Sequence, residues 1–172
     1  MKYVPFTFNS KDGLILQGRA WLSQQLYPKG IVHILHDLGE HTARFALLGE
    51  VFSKEGYHFL GFDLRGHGLS EGNRGHSPGY IHLMNDIEQF INLSTEILGL
   101  SDQPKILYGQ GLGGNLAINY ILRRRPNISG VIVTSPIFRT THTKTKIQRA
   151  WLEIIANIVP KLKFHNHIKS ED

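Results

Sequence analysis

The residues best placed to do chemistry lie in a short glycine-rich turn, Gly109-Gln110-Gly111-Leu112-Gly113-Gly114. It sits where an apolar run, Lys105 to Tyr108, gives way to a helical pattern. Two chemistries use a strand that breaks into a helix with small residues at every crowded position. One is the nucleophile elbow, G-x-S-x-G, which holds a serine on a strained turn at a helix N-terminus. The other is the dinucleotide fingerprint G-x-G-x-x-G, which Gly109, Gly111 and Gly114 satisfy literally. That fingerprint needs an acidic residue about 20 positions further on to hold the ribose. No Asp or Glu occurs from Gly111 to Gln148. The fingerprint also belongs to a first βα turn, whereas several strands precede this one. A tight turn that merely packs helix on strand is the reading without chemistry.

A second stretch, Gly75-His76-Ser77-Pro78-Gly79, is a literal G-x-S-x-G. The residue after an elbow serine must donate its N–H to the oxyanion, and Pro78 has none. Ser77 is therefore expected on a loop entering the next helix, and Ser70 in a turn that it hydrogen-bonds. Asp63 and Arg65, at a strand end, are expected to pair or to brace that turn. His36 has two readings, bracing a loop or touching a substrate at the pocket mouth. His165 and His167 have a spacing that catches metals, but tail histidines are usually polar surface. No metal site and no cofactor are expected.

The elements that must position these residues follow from the pattern of apolar positions. Val4 to Phe8 and Leu14 to Leu22 flank Lys11-Asp12-Gly13, a hairpin signal. Ile31 to Leu35 and His58 to Leu64 read as buried strands, with a helix from about Arg44 to Lys54 between them, ended by Gly56. Tyr80 to Leu98 reads as a long helix with Ile87, Phe90, Ile91, Ser94 and Ile97 on one face. Asn115 to Arg125 is predicted as the helix after the glycine turn, stopped by Pro126, and Gly130 to Thr134 as one more strand. Strands alternating with helices imply a mostly parallel, doubly wound α/β sheet. Residues 1–138 form the core in this reading. Residues 139–172 change character, carrying an apolar stripe of Ile147, Trp151, Ile154, Ile155 and Ile158 at helical spacing. A sheet ending at its last predicted strand would keep an open edge, which points to missing C-terminal strands.

Bulk properties narrow the function classes. A 172-residue chain is long enough for one packed core, and 41% hydrophobic with 19% charged residues fits a globular domain. With no cysteine, disulfides and thiolate chemistry are excluded. The N-terminus has no apolar core of a secretory signal, and no stretch reaches the ~18 apolar residues of a membrane span. A cytoplasmic protein is expected, with room for peripheral membrane contact. The net charge of +5 clusters at Arg123 to Arg125 and from Arg139 to Lys169. The first cluster ends a predicted helix, where cations suit the dipole, and no aromatic residues interleave with it for stacking. Nucleic acid is not expected as a partner.

Four segments carry a resemblance. His36-Asp37-Leu38-Gly39-Glu40-His41-Thr42-Ala43-Arg44-Phe45 resembles the HGxGEHsxRY segment of monoacylglycerol lipases and lysophospholipases, within the serine aminopeptidase-type α/β-hydrolases. Phe62 to Gly72 resembles their D-x-R-G-H-G-x-S-x-G stretch, Leu107 to Gly114 their elbow hGHSMGG, and Ser135-Pro136 the SP after the next strand. The resemblance implies the α/β-hydrolase fold, a small acyl ester or lipid as substrate, and the amides of Leu38 and Leu112 as oxyanion-hole donors. It also implies that the stripe from Ile147 begins a helical cap, with Trp151 and His36 as candidate substrate contacts. Two departures stand out. Position 111, the family's catalytic serine, is glycine, and Asp37 stands where HGxG has its first glycine. The family's triad Asp and His follow the cap, and no residue here matches them. The expectation is a catalytically inactive member of the family. The alternatives are a non-catalytic acyl-ligand or protein-binding module and, less well supported, a dinucleotide-binding domain.

Overall fold

The computed structural model describes residues 1–99 and 103–138. The chain opens with a hairpin: β1 (Lys2–Asn9) runs antiparallel to β2 (Ile15–Leu22), pairing Asn9 with Ile15. Its turn is held by Ser10, whose Oγ accepts the Leu14 N–H at 2.8 Å. Then follow β3 (Gly30–Leu35), a single 3₁₀ turn (Thr42–Phe45), α1 (Ala46–Lys54) and β4 (Tyr57–Phe62). The remaining elements are α2 (Tyr80–Leu98), β5 (Lys105–Gln110), α3 (Leu112–Arg124) and β6 (Gly130–Thr134).

The six strands form one sheet in the order β1-β2-β4-β3-β5-β6. The hairpin joins antiparallel, through β2 against β4, and every other pairing is parallel. This is the doubly wound α/β sheet that the alternation implied.

Period-2 alternation along β3 explains the two-sided core. Ile31 and Leu35 face the side covered by α2 and α3, and meet Phe62, Ile87, Phe90, Leu107, Leu116 and Tyr120. Val32 and Ile34 face the side covered by α1, among Trp21, Phe45 and Phe59. Phe90 is the hinge of the larger cluster, 4.9 Å from Phe62 and stacked 6.2 Å from Phe8 between ring centroids. Burying each such ring contributes roughly 1.5–3 kcal/mol. His33 shares this face, its Nε2 2.6 Å from the Ser94 hydroxyl of α2. The predicted apolar face of α2 is thus the packed one at Ile87, Phe90, Ile91 and Ser94, while the Ile97 side chain lies outside the described residues.

Several boundaries differ from the sequence reading, and three of them bear on the site. The strand expected to reach Leu64 stops at Phe62, and the Leu64 N–H is given to the His36 ring instead of a neighbouring strand. The α1 region starts as a 3₁₀ turn, and its α-helix begins at Ala46 rather than Arg44. The helix expected from Asn115 begins at Leu112, so three residues of the glycine turn already lie inside it. The last two strand pairs leave β6 bonded on one side, to β5, among the described residues.

Candidate active site

β3 and β5 lie side by side and parallel, with Leu35 opposite Gly109. Ligands of open α/β sheets bind outside the carboxyl ends of strands, and this pair brings two loops together there. From β3 leaves the loop His36–His41, and from β5 the bend at Gly111. The bend is sharp: Gly111 has φ 54° and ψ −116°, between the last residue of β5 and the first of α3. An L side chain adopts that positive φ only under strain. Its N–H is tied to the Thr134 carbonyl of β6 at 2.9 Å. Gly113 is required for a different reason, because a Cβ there would overlap the Leu35 carbonyl. The helix can follow the strand this closely only with a bare backbone at that position.

Asp37 completes the geometry. Its Oδ1 accepts the N–H of Leu38 at 2.7 Å and the N–H of Leu112 at 2.6 Å. One amide comes from the β3 loop and the other from the first residue of α3, where the helix dipole favours negative charge. Both distances are those of charge-assisted bonds. A Cβ placed on Gly111 would overlap the same carboxylate, on Cγ and on both oxygens. Leu38 contributes its backbone here, and the residue is 59% exposed.

The surrounding loops are pinned by buried polar groups. His36 is fully buried, its Nε2 accepting the Leu64 N–H at 2.8 Å, so Nδ1 donates to the Asp37 carbonyl at 2.7 Å. Burial pushes its pKa down to about 4, against the Asp37 carbonyl bond that favours the cation. The ring is therefore neutral and braces the loop, the first of its two sequence readings. Asp63 is likewise buried. Its Oδ1 takes Arg19 Nη1 at 2.7 Å, the Thr42 N–H at 2.8 Å and the Thr42 hydroxyl, and Oδ2 takes the Leu69 N–H at 2.9 Å. Burial pushes this carboxyl up, but those donors outweigh it and hold it below its usual value.

Asp63 and Arg65 do not pair with each other, which corrects one form of the sequence expectation. They point apart: Arg65 reaches Asp86 of α2 at 2.6 and 2.8 Å and Asp12 of the hairpin turn at 2.9 Å, while Asp63 binds Arg19. Their bracing role holds. Ser70 sits in the expected turn, donating to the Asp63 carbonyl and accepting the Gln17 N–H at 2.9 Å. Ser77 donates to the Gly79 carbonyl at 3.0 Å on the loop just before α2, as expected. Trp151, the stripe from Ile147, and His165 with His167 lie outside the described residues. Among the described residues, no cluster of His, Asp and Glu has the makings of a metal site. Sequence reasoning noted Asp37 only as a departure and missed its bond to Leu112. The available signal was that both departures fall on loops that adjacent parallel strands must bring together.

The sheet, with helices on both faces and the strand–turn–helix bend after β5, defines an α/β-hydrolase. The family model for serine aminopeptidase, S33, matches residues 27–172, and the chain belongs to that family. It is 32% identical over 160 residues to an uncharacterized abhydrolase domain-containing protein of Dictyostelium discoideum, covering 92% of this chain and 16% of that protein. It is 29% identical over 137 residues to the monoglyceride lipase of Saccharomyces cerevisiae, covering 77% of this chain and 43% of the lipase. A crystal structure of a soluble variant of the yeast monoglyceride lipase with a substrate analog superposes with a TM-score of 0.79 at 25% identity, over 95% of this chain and 55% of that one. The chain thus spans less than half the length of these two relatives and about half of the solved lipase. The resemblance to monoacylglycerol lipases, drawn from four motifs, is borne out.

Proposed function

We propose that this chain belongs to the lipid-ester hydrolases by descent, and that its β5–α3 bend no longer attacks an acyl carbon. The observation that carries this is Gly111: the bend has the backbone of a nucleophile elbow and no side-chain atom at its apex. The relatives named as monoglyceride lipases support a small acyl ester as the ligand class of the whole protein. In this reading the amides of Leu38 and Leu112 are the oxyanion-hole donors. Loss of a triad's nucleophile lowers turnover by about 10⁶-fold, leaving only binding and oxyanion stabilisation.

An active-site fluorophosphonate probe tests it. No serine of the chain should become labelled, and labelling at Ser70, Ser77 or any other serine would end the proposal. Gly111→Ser alone should also give no ester hydrolysis, because the new side chain meets the Asp37 carboxylate. A second reading, an acyl-ligand module without chemistry, is favoured by the intact backbone of the bend. Asp37 opposes it in one respect, since a carboxylate already holds both amides. A dinucleotide phosphate would meet the same obstacle at the start of α3.

A further inference from the structure

The structure assigns to Asp37 the place of an anionic ligand: its carboxylate is a built-in occupant of the paired amides of Leu38 and Leu112, and Gly111 is the residue that leaves room for it. Three observations meet at this point. A single oxygen, Oδ1, accepts from both amides, at 2.7 and 2.6 Å, as the oxyanion of an acyl group would. The carboxylate fills the volume that any β-carbon at position 111 would need. One of the two amides opens a helix of 13 residues, so the occupant is charged where the helix dipole favours it.

The two departures from the hydrolase motifs are then one coupled change. With serine at 111, Asp37 would have to swing out and give up both bonds. With glycine at 37, the amides would stand free for an external carboxylate or oxyanion. The glycine at 111 and the aspartate at 37 fit together, and each alone fits poorly. An elbow that had lost only its serine would keep an open anion site, whereas this one is closed from within.

A double-mutant cycle of Asp37→Gly and Gly111→Ala, read by thermal unfolding, tests the coupling. Each single variant loses the same two bonds, and Gly111→Ala adds the strain of its positive φ. The strain appears in both arms that carry the alanine and cancels from the cycle. The double variant should therefore melt at least about 4 °C above the midpoint expected from adding the two single shifts. Additivity within about 1 °C would overturn the assignment. Hydrogen exchange on Asp37→Gly is the second readout, independent of how the alanine variants fold. The amides of Leu38 and Leu112 should both exchange about tenfold faster, while that of Gly111, bound to Thr134, should not change. Unchanged protection at either Leu amide, or failure of Asp37→Gly to fold at all, would overturn it, because the contact is local. Neither readout measures hydrolysis, so the fluorophosphonate result and this one stand or fall separately.

Discussion

Two aspartates within one sheet end show how differently a carboxylate can be used. Asp63 is fully buried, compensated by the Arg19 guanidinium, and bonded to groups from β2, the β3–α1 connection and the β4–α2 loop. Asp37 is half-buried at the mouth of the bend and compensated by two backbone amides. The first ties three segments into one structure, so removing it leaves a buried cation without its partner. The second lies on two backbone amides where the β3 and β5 loops meet, and removing it leaves those amides to solvent. A charge deep within a network ties the fold together, while a charge lying on two loop amides can leave them at the cost of two local bonds.

The largest expected effect follows from that contrast. Asp63→Ala should cost about 3–5 kcal/mol in urea unfolding, the range for breaking a buried pair and stranding its partner. Asp37→Gly should cost less than about 2 kcal/mol, because water can replace its bonds. Equal costs would erase the distinction between the two carboxylates.

Acid sharpens the comparison next. Burial holds His33 and His36 down at about 3 and about 4, below the ordinary 6.5 of an unfolded histidine. The unfolded chain then binds more protons than the folded one, so this stability is complete above about pH 6.5 and is lost as pH falls toward those values. By pH 5 each ring should have removed about 2 kcal/mol, and the melting midpoint should have dropped by roughly 10 °C from its value at pH 7. Asp63, held below its ordinary 3.8, adds to the loss only in stronger acid. A flat midpoint between pH 7 and 5 would mean that His33 and His36 are not buried neutral.

Gly113→Ala probes the bend without touching either carboxylate. Its new methyl group overlaps the Leu35 carbonyl, so a loss of about 1–3 kcal/mol should appear in thermal unfolding. The smallest effect is expected at Leu38, whose exposed side chain takes no part in the bonds of its amide. Leu38→Ala should change stability by no more than about 0.5 kcal/mol and leave the exchange of its own amide unaltered. A larger change would show that the leucine side chain helps to hold the Asp37 loop.

Much of the fold was legible beforehand because its signals are local. Short apolar runs marked β3 and β4, the Lys11-Asp12-Gly13 turn marked the hairpin, and the 3.6-residue face of Ile87, Phe90, Ile91 and Ser94 marked α2. The helix start at Leu112 was misplaced by three residues because glycine has low helix propensity, and packing against Leu35 overrode it. The pairing partners of Asp63 and Arg65 were illegible for another reason. Arg19 and Asp86 lie 44 and 21 positions away along the chain, and nothing local records which charge will meet which.

By itself the sequence determined that this chain is built as an α/β-hydrolase and that its bend has no attacking hydroxyl, since residue identity settles both the pattern and the missing atom. Only the tertiary structure decided what stands in that place. Asp37 and Leu112 are 75 residues apart, and the parallel pairing of β3 with β5 puts the carboxylate of one onto the amide of the other. A contact of that kind depends on strand order and register, which the linear pattern does not encode.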